Sequence, residues 1–100
     1  MPTAEEVRES LKSVNDPEIG INIVDLGLIY DVEVSDGVKV AVTYTLTSMG
    51  CPAGAMIDAD IRDAVSSMQE GLEVDTTVVM QPPWTPDKMS DFAKSALGYF

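Results

Sequence analysis

The chain contains no histidine and one cysteine, Cys51, among 100 residues. Without imidazole there is no Ser–His or Cys–His pair, no histidine general base and no zinc site built on histidine. One thiol cannot close an internal disulfide, which points to a reducing, cytoplasmic setting. Basic residues are also scarce: 6 Lys and Arg stand against 17 Asp and Glu, a net charge of −11. The six cations are scattered through the sequence, so no basic stripe exists for phosphate backbones or anionic lipid, and neither nucleic acid nor membrane is an expected partner. No apolar run approaches the roughly 20 residues of a membrane helix. The start, MPTAEEVRES, lacks the basic and apolar regions of a secretory leader, so none is expected.

What is present is an ordinary globular composition, 45% hydrophobic and 23% charged, at the length of one domain spanning residues 1–100. Thr3 with Glu6 fits a capping box, and Val7, Leu11 and Val14 recur at helical spacing, predicting a helix from Thr3 to Val14 that Asn15-Asp16-Pro17 ends. Residues 18–26 read as an irregular connection and Leu28 to Val34 as a strand. After a turn at Ser35-Asp36-Gly37, Val38, Val40, Val42, Tyr44 and Leu46 alternate with Lys39, Ala41, Thr43 and Thr45. Residues 28–46 are therefore expected to form a hairpin with one face buried.

A helix is expected from about Pro52 to Gln69, with Ile57, Ile61, Ala64, Val65 and Met68 inward, Asp58, Arg62 and Ser66 outward, and Gly71 as its stop. Val74 to Met80 reads as a third strand. Thr85-Pro86-Asp87 suits the start of a last helix, with Met89, Phe92, Ala93 and Ala96 on its apolar side and Gly98 at its end. The order α-β-β-α-β-α predicts an α+β fold, a two-layer sandwich on a three-stranded mixed sheet. Its uncovered face suits a partner or a homodimer.

Four stretches carry candidate chemistry. Cys51, between Gly50 and Pro52, falls at or beside a helix start, where free N–H groups and the helix dipole favour a thiolate. A small buried packing residue fits that position equally well. Asp16-Pro17-Glu18 suits a turn better than a cation site, and Asp25-Leu26-Gly27 likewise reads as a turn. Pro82-Pro83-Trp84-Thr85-Pro86 is stiff enough to hold an aromatic against a partner, although Trp84 also suits a cover for one end of the core. A single soft ligand cannot complete a metal site of four protein ligands, so any iron or cluster would be shared or held transiently.

Taken together, Asp16-Pro17-Glu18, NIVDLGLIYDVEV (22–34), YTLTSMGCPAG (44–54) and PPWTPDKMS (82–90) resemble the MIP18 family, the DUF59 domain of iron–sulfur cluster assembly factors. The resemblance implies an α/β domain of the iron–sulfur assembly type and a non-enzymatic role in assembling clusters or delivering them to client proteins. It implies that Cys51 is the functional thiolate and a shared or transient ligand of iron or a cluster. Asp16, Glu18, Thr47, Gly50 and Pro52 would then shape its pocket, while Pro83 and Trp84 offer a partner surface. The implied partners are cluster scaffold or carrier proteins and client apoproteins. Two alternatives stand beside this. One is a maturation subunit like those of phenylacetyl-CoA oxygenase systems, which carry a cysteine-rich ribbon this chain lacks. The other is a thiol-dependent redox enzyme, for which neither a histidine nor a second cysteine is available.

Overall fold

The computed structural model describes residues 3–35, 38–47 and 54–98. Its elements run α1 (Ala4–Leu11), β1 (Ile29–Ser35), β2 (Lys39–Tyr44), α2 (Gly54–Ser66), β3 (Glu73–Val78) and α3 (Asp91–Leu97). The sheet order is β1-β2-β3, with β1 antiparallel and β3 parallel to β2. This is the expected α-β-β-α-β-α order on a mixed three-stranded sheet. None of the described helices is long and apolar enough to cross a membrane.

Both halves of the α1 capping box form: the Glu6 N–H donates to Thr3 Oγ1 at 3.1 Å, and the Thr3 N–H donates to Glu6 Oε1 at 3.1 Å. Val7 and Leu11 bury one face of the helix. The helix stops at Leu11 rather than Val14. Val14 stays in the core, but its carbonyl accepts the Ile23 N–H at 2.9 Å, a tertiary bond that a helical continuation would forgo.

In the hairpin, Val32 pairs with Val42 and Val34 with Val40, which sets these valines on the covered face. The tip at Asp36-Gly37 lies outside the described residues. A register shift between Ile29 and Asp31 leaves Tyr30 without a cross-strand partner. Tyr30 turns aside, donates its hydroxyl to the Pro82 carbonyl at 2.7 Å, and carries the Lys88 ammonium 5.1 Å from its ring centre. The open face of the sheet presents Asp31, Glu33, Glu73, Asp75 and Lys39 to solvent.

Helix α2 links the parallel strands and packs Ile57, Ile61 and Val65 into the core. The expectation that Asp58 simply faces outward is corrected. Asp58 Oδ1 accepts from the Tyr44 hydroxyl at 3.0 Å and from Thr76 Oγ1 at 2.6 Å, and its Oδ2 accepts from Arg62 Nε at 2.9 Å. Arg62 extends the network to the Val74 carbonyl and to Thr76 Oγ1. One helix is thereby tied to two strands. Burial opposes ionisation of Asp58, but the hydrogen bonds from Thr76, Arg62 and Tyr44 outweigh it and hold the carboxyl below its usual range. Burial, and then the bond to Asp58 and its charge, push the Tyr44 phenol up to about 12, so it remains a donor at neutral pH.

The C-terminal segment also differs from expectation. Pro86–Lys88 form only a short 3-10 turn, and α3 starts at Asp91 with Ser90 as its cap. The break arises because Met89 is extended and the Ser90 N–H is drawn to the Asp25 carbonyl at 2.7 Å. Met89 and Ala93 are buried, whereas Phe92, expected on the apolar side, is 63% exposed. Gly98 ends the helix in the left-handed region at φ 79°.

Gly27 combines a φ of 79° with contact against Lys88; an added Cβ would lie 2.7 Å from the Lys88 carbonyl carbon. Gly27→Ala is expected to lower stability by more than about 2 kcal/mol, whereas Gly98→Ala, with open space around it, loses only about 1 kcal/mol; urea unfolding compares the two. Asp58→Asn should cost about 1–3 kcal/mol near neutral pH. Because the native carboxyl titrates below the unfolded one, the Asp58 contribution is present above about pH 4 and lost as pH falls further. The difference between Asp58→Asn and the parent chain should therefore shrink toward about pH 3 in the same unfolding assay.

Candidate functional site

The site is built around the turn Asn22–Leu28. Asn22 acts as an N-cap: its Oδ1 accepts the Asp25 N–H at 2.9 Å, and its Nδ2 donates to Asp25 Oδ2 at 2.6 Å. The turn closes when the Leu28 N–H donates to the Ile23 carbonyl and the Gly27 N–H to that of Val24, a Schellman pattern with Gly27 in the left-handed position. Hydrogen bonds from Asn22 and then Ser90 hold the Asp25 carboxyl below its usual range. Asp25 thus orders a turn, as its sequence context implies.

Asp16 and Glu18 point apart. Asp16 is 1% exposed, and its Oδ1 accepts the N–H groups of Glu18 at 2.8 Å and Ile19 at 3.3 Å. Its own N–H and carbonyl bond Ile21 and Gly20, so three of its polar atoms close the loop around Pro17. Glu18 itself is exposed.

A run of backbone bonds joins this loop to the exit of β2. Ile23 bonds Val14, Leu28 bonds Ile23, and the Thr45 N–H donates to Leu28 at 2.8 Å. The alternation places Thr45 on the outer face with Lys39 and Thr43. The structure instead buries it completely, because the strand ends at Tyr44 and the chain turns beneath the 22–28 turn. Its Oγ1 is a buried hydroxyl without a hydrogen-bond partner among the described residues. Thr47 follows, half-buried. Gly50, Cys51 and Pro52 lie outside the described residues, as do Ser48 and the expected helix start at residues 52–53. The segment that carries Cys51 is held at its flanks: a Cβ on Gly54 would meet Leu46 Cδ1 at 3.0 Å, so the two ends pack closely.

Pro83 is exposed, while Trp84 is half-buried against the core and donates its Nε1 proton to the Leu26 carbonyl at 2.6 Å. Trp84 therefore fastens the 80–90 segment to the 22–28 turn. Among the described residues no three acidic side chains come together as a metal site. What they build is a braced frame that ties the 14–28 loop, the exit of β2 and the 80–90 segment together. Two features that sequence reasoning missed, the buried Thr45 hydroxyl and the Asp58 network, are tertiary; the only local signal is a polar residue at the end of an apolar alternation.

This fold and frame define a class. The family model described as "Iron-sulfur cluster assembly protein" matches residues 4–78, and the chain belongs to that family, the MIP18 or DUF59 group. It is 44% identical over 94 residues to the Fe-S protein maturation auxiliary factor YitW of Bacillus subtilis, covering 94% of this chain and 92% of that one. It is 47% identical over 85 residues to the Fe-S protein maturation auxiliary factor SufT of Staphylococcus aureus, covering 85% and 97%. The crystal structure of a DUF59 domain from Bacillus anthracis matches with a TM-score of 0.91 at 38% identity, over 97% of this chain and 92% of that one.

Asp16→Ala strands two N–H groups and is expected to lower stability by about 1–3 kcal/mol. Thr45→Val removes a buried hydroxyl that has no partner among the described residues and should leave stability unchanged or raise it by about 1 kcal/mol, both read from thermal or urea midpoints.

Proposed function

We propose that this protein is a non-enzymatic accessory factor in iron–sulfur cluster maturation, acting through the Cys51 thiolate. The observation that carries the reading is the position of the chain's sole thiol, in TLTSMGCPAG, inside the stretch 4–78 that matches the iron–sulfur assembly family. Relatives named as maturation auxiliary factors, and not as enzymes, support the same reading. In it, Cys51 holds iron or a cluster as cargo, or contacts a carrier. One thiol supplies one ligand, so the remaining ligands come from a scaffold, a carrier or a client apoprotein. That incompleteness suits transfer, because cargo held by one side chain leaves easily. Asp16 and Thr47 keep the rim of the pocket in shape, Glu18 adds charge, and Gly50 and Pro52 set the path of the chain at the thiol. Pro83 offers contact area beside the frame. An enzymatic thiol is disfavoured, since no histidine is present to activate it and no second cysteine to resolve it.

The test is replacement of Cys51 by Ala and by Ser in a strain whose cluster enzymes depend on this protein. Client activity should fall to the level of the deletion strain while the purified variants unfold at the parental midpoint. Full client activity in both variants would overturn the thiolate role.

A further inference from the structure

β3 is an edge strand, and the hydrogen-bonding side it turns away from β2 can be assigned. The Glu73 N–H donates to Val38 and the Val79 N–H to Tyr44, across a parallel register that pairs Val40 with Val74 and Tyr44 with Val78. In a parallel ladder the residues that bond one neighbour recur every second position. Residues 73, 75, 77 and 79 therefore bond β2, while Val74, Thr76 and Val78 direct N–H and C=O groups outward. The Arg62 guanidinium caps the outward carbonyl of Val74 at 3.2 Å, a natural block on that half of the edge. No described residue bonds the outward backbone groups of Thr76 and Val78. Val78 is also 49% exposed, a large apolar side chain beside that open backbone.

We propose that the C-terminal half of the β3 edge, Thr76 to Val78, receives an extended segment of another protein by strand addition, and that this segment alternates basic and apolar residues. The alternation follows from the two faces. On the open face an added strand lies beside Asp75 and Thr77, with Glu73, Glu33 and Asp31 on the same surface, and Lys39, the one basic residue within the three strands, is already paired with Asp75 at 2.9 Å. Lysine or arginine side chains complement that face. On the covered face the neighbours are Thr76 and the half-exposed Val78, which an apolar side chain would shield. A second copy of this chain is the poorer occupant, because it brings another −11 of charge and another acidic sheet face to the same edge. The inference rests on the proposed function only in taking the occupant to be a protein met during maturation.

The full chain, isotope-labelled, is titrated with the peptide Ac-Lys-Val-Lys-Val-Lys-amide and with Ac-Glu-Val-Glu-Val-Glu-amide, following amide chemical shifts. The basic peptide should shift Thr76 and Val78 selectively, weaken as salt rises, and bind about tenfold less well to Val78→Pro, which removes one outward donor. The acidic peptide should not bind. Equal binding of both peptides, shifts away from β3, no binding, or a concentration-dependent dimer protecting Thr76 and Val78 would each overturn the proposal. Comparing the two peptides on the unaltered chain keeps the test independent of how Val78→Pro folds. It does not pass through Cys51, so it fails or succeeds separately from the thiolate role.

Discussion

The turn Asn22–Leu28 is the constraint on which the candidate site depends, because three otherwise separate parts of the chain bond to its backbone. Val14, three residues past the end of α1, takes the Ile23 N–H; Thr45, at the exit of β2, donates to Leu28; and Trp84 and Ser90, from the C-terminal segment, donate to Leu26 and Asp25. A turn can serve three neighbours only if its own polar groups are satisfied internally. Asn22 and Asp25 do this at its start, and the Gly27 pattern does it at its end. Gly27 has a second role, since the lack of a Cβ lets the Lys88 backbone approach closely. The same residue thus ends the turn and seats the C-terminal segment upon it.

A second clamp fixes the other layer. Tyr44, Asp58, Thr76 and Arg62 link β2, α2 and β3 through bonds in which each hydroxyl or carboxylate has a partner. Individually these are partly exposed contacts of modest strength. Jointly they fix how α2 sits on the parallel pair, and with Leu46 packed against Gly54 they set both flanks of the segment between β2 and α2. The described flanks, Leu46 and Gly54, therefore cannot drift independently.

Features decided by neighbours in sequence were legible. The Thr3–Glu6 box, the alternation from Val40 to Tyr44 and the Gly98 stop all follow from local geometry and appear where expected, whereas Val38, expected on the covered face, lies before the strand and is exposed. Features decided by distant partners were not. The alternation assigns Thr45 to the outer face, but period-two reasoning assumes that the ladder continues, and here it ends one residue earlier. Helical spacing turns Asp58 outward, yet a sheet beside the helix supplies two hydroxyls that recruit it. Phe92 reads as core because it is apolar, while the late start of α3 at Asp91 rotates it to solvent. The motif at 22–34 identifies the family, and only coordinates reveal that its Asn, Asp and Gly act as cap, brace and stop.

Charge and architecture also bear on each other. Of the six basic residues, Lys12, Lys39 and Arg62 pair with carboxylates of this chain, and Lys88 sits over Tyr30. Little cationic surface is left to offset the remaining carboxylates, so the molecule presents a negative field on most sides. Such a field discourages self-association and accelerates encounter with basic partners, and both effects weaken as salt rises. Docking of a basic partner through such a field is fast and readily reversed. The hydrogen-bonded turn and the acidic surface thus differ in physical character: directional bonds hold the frame at any ionic strength, whereas the surface field is screened as salt rises.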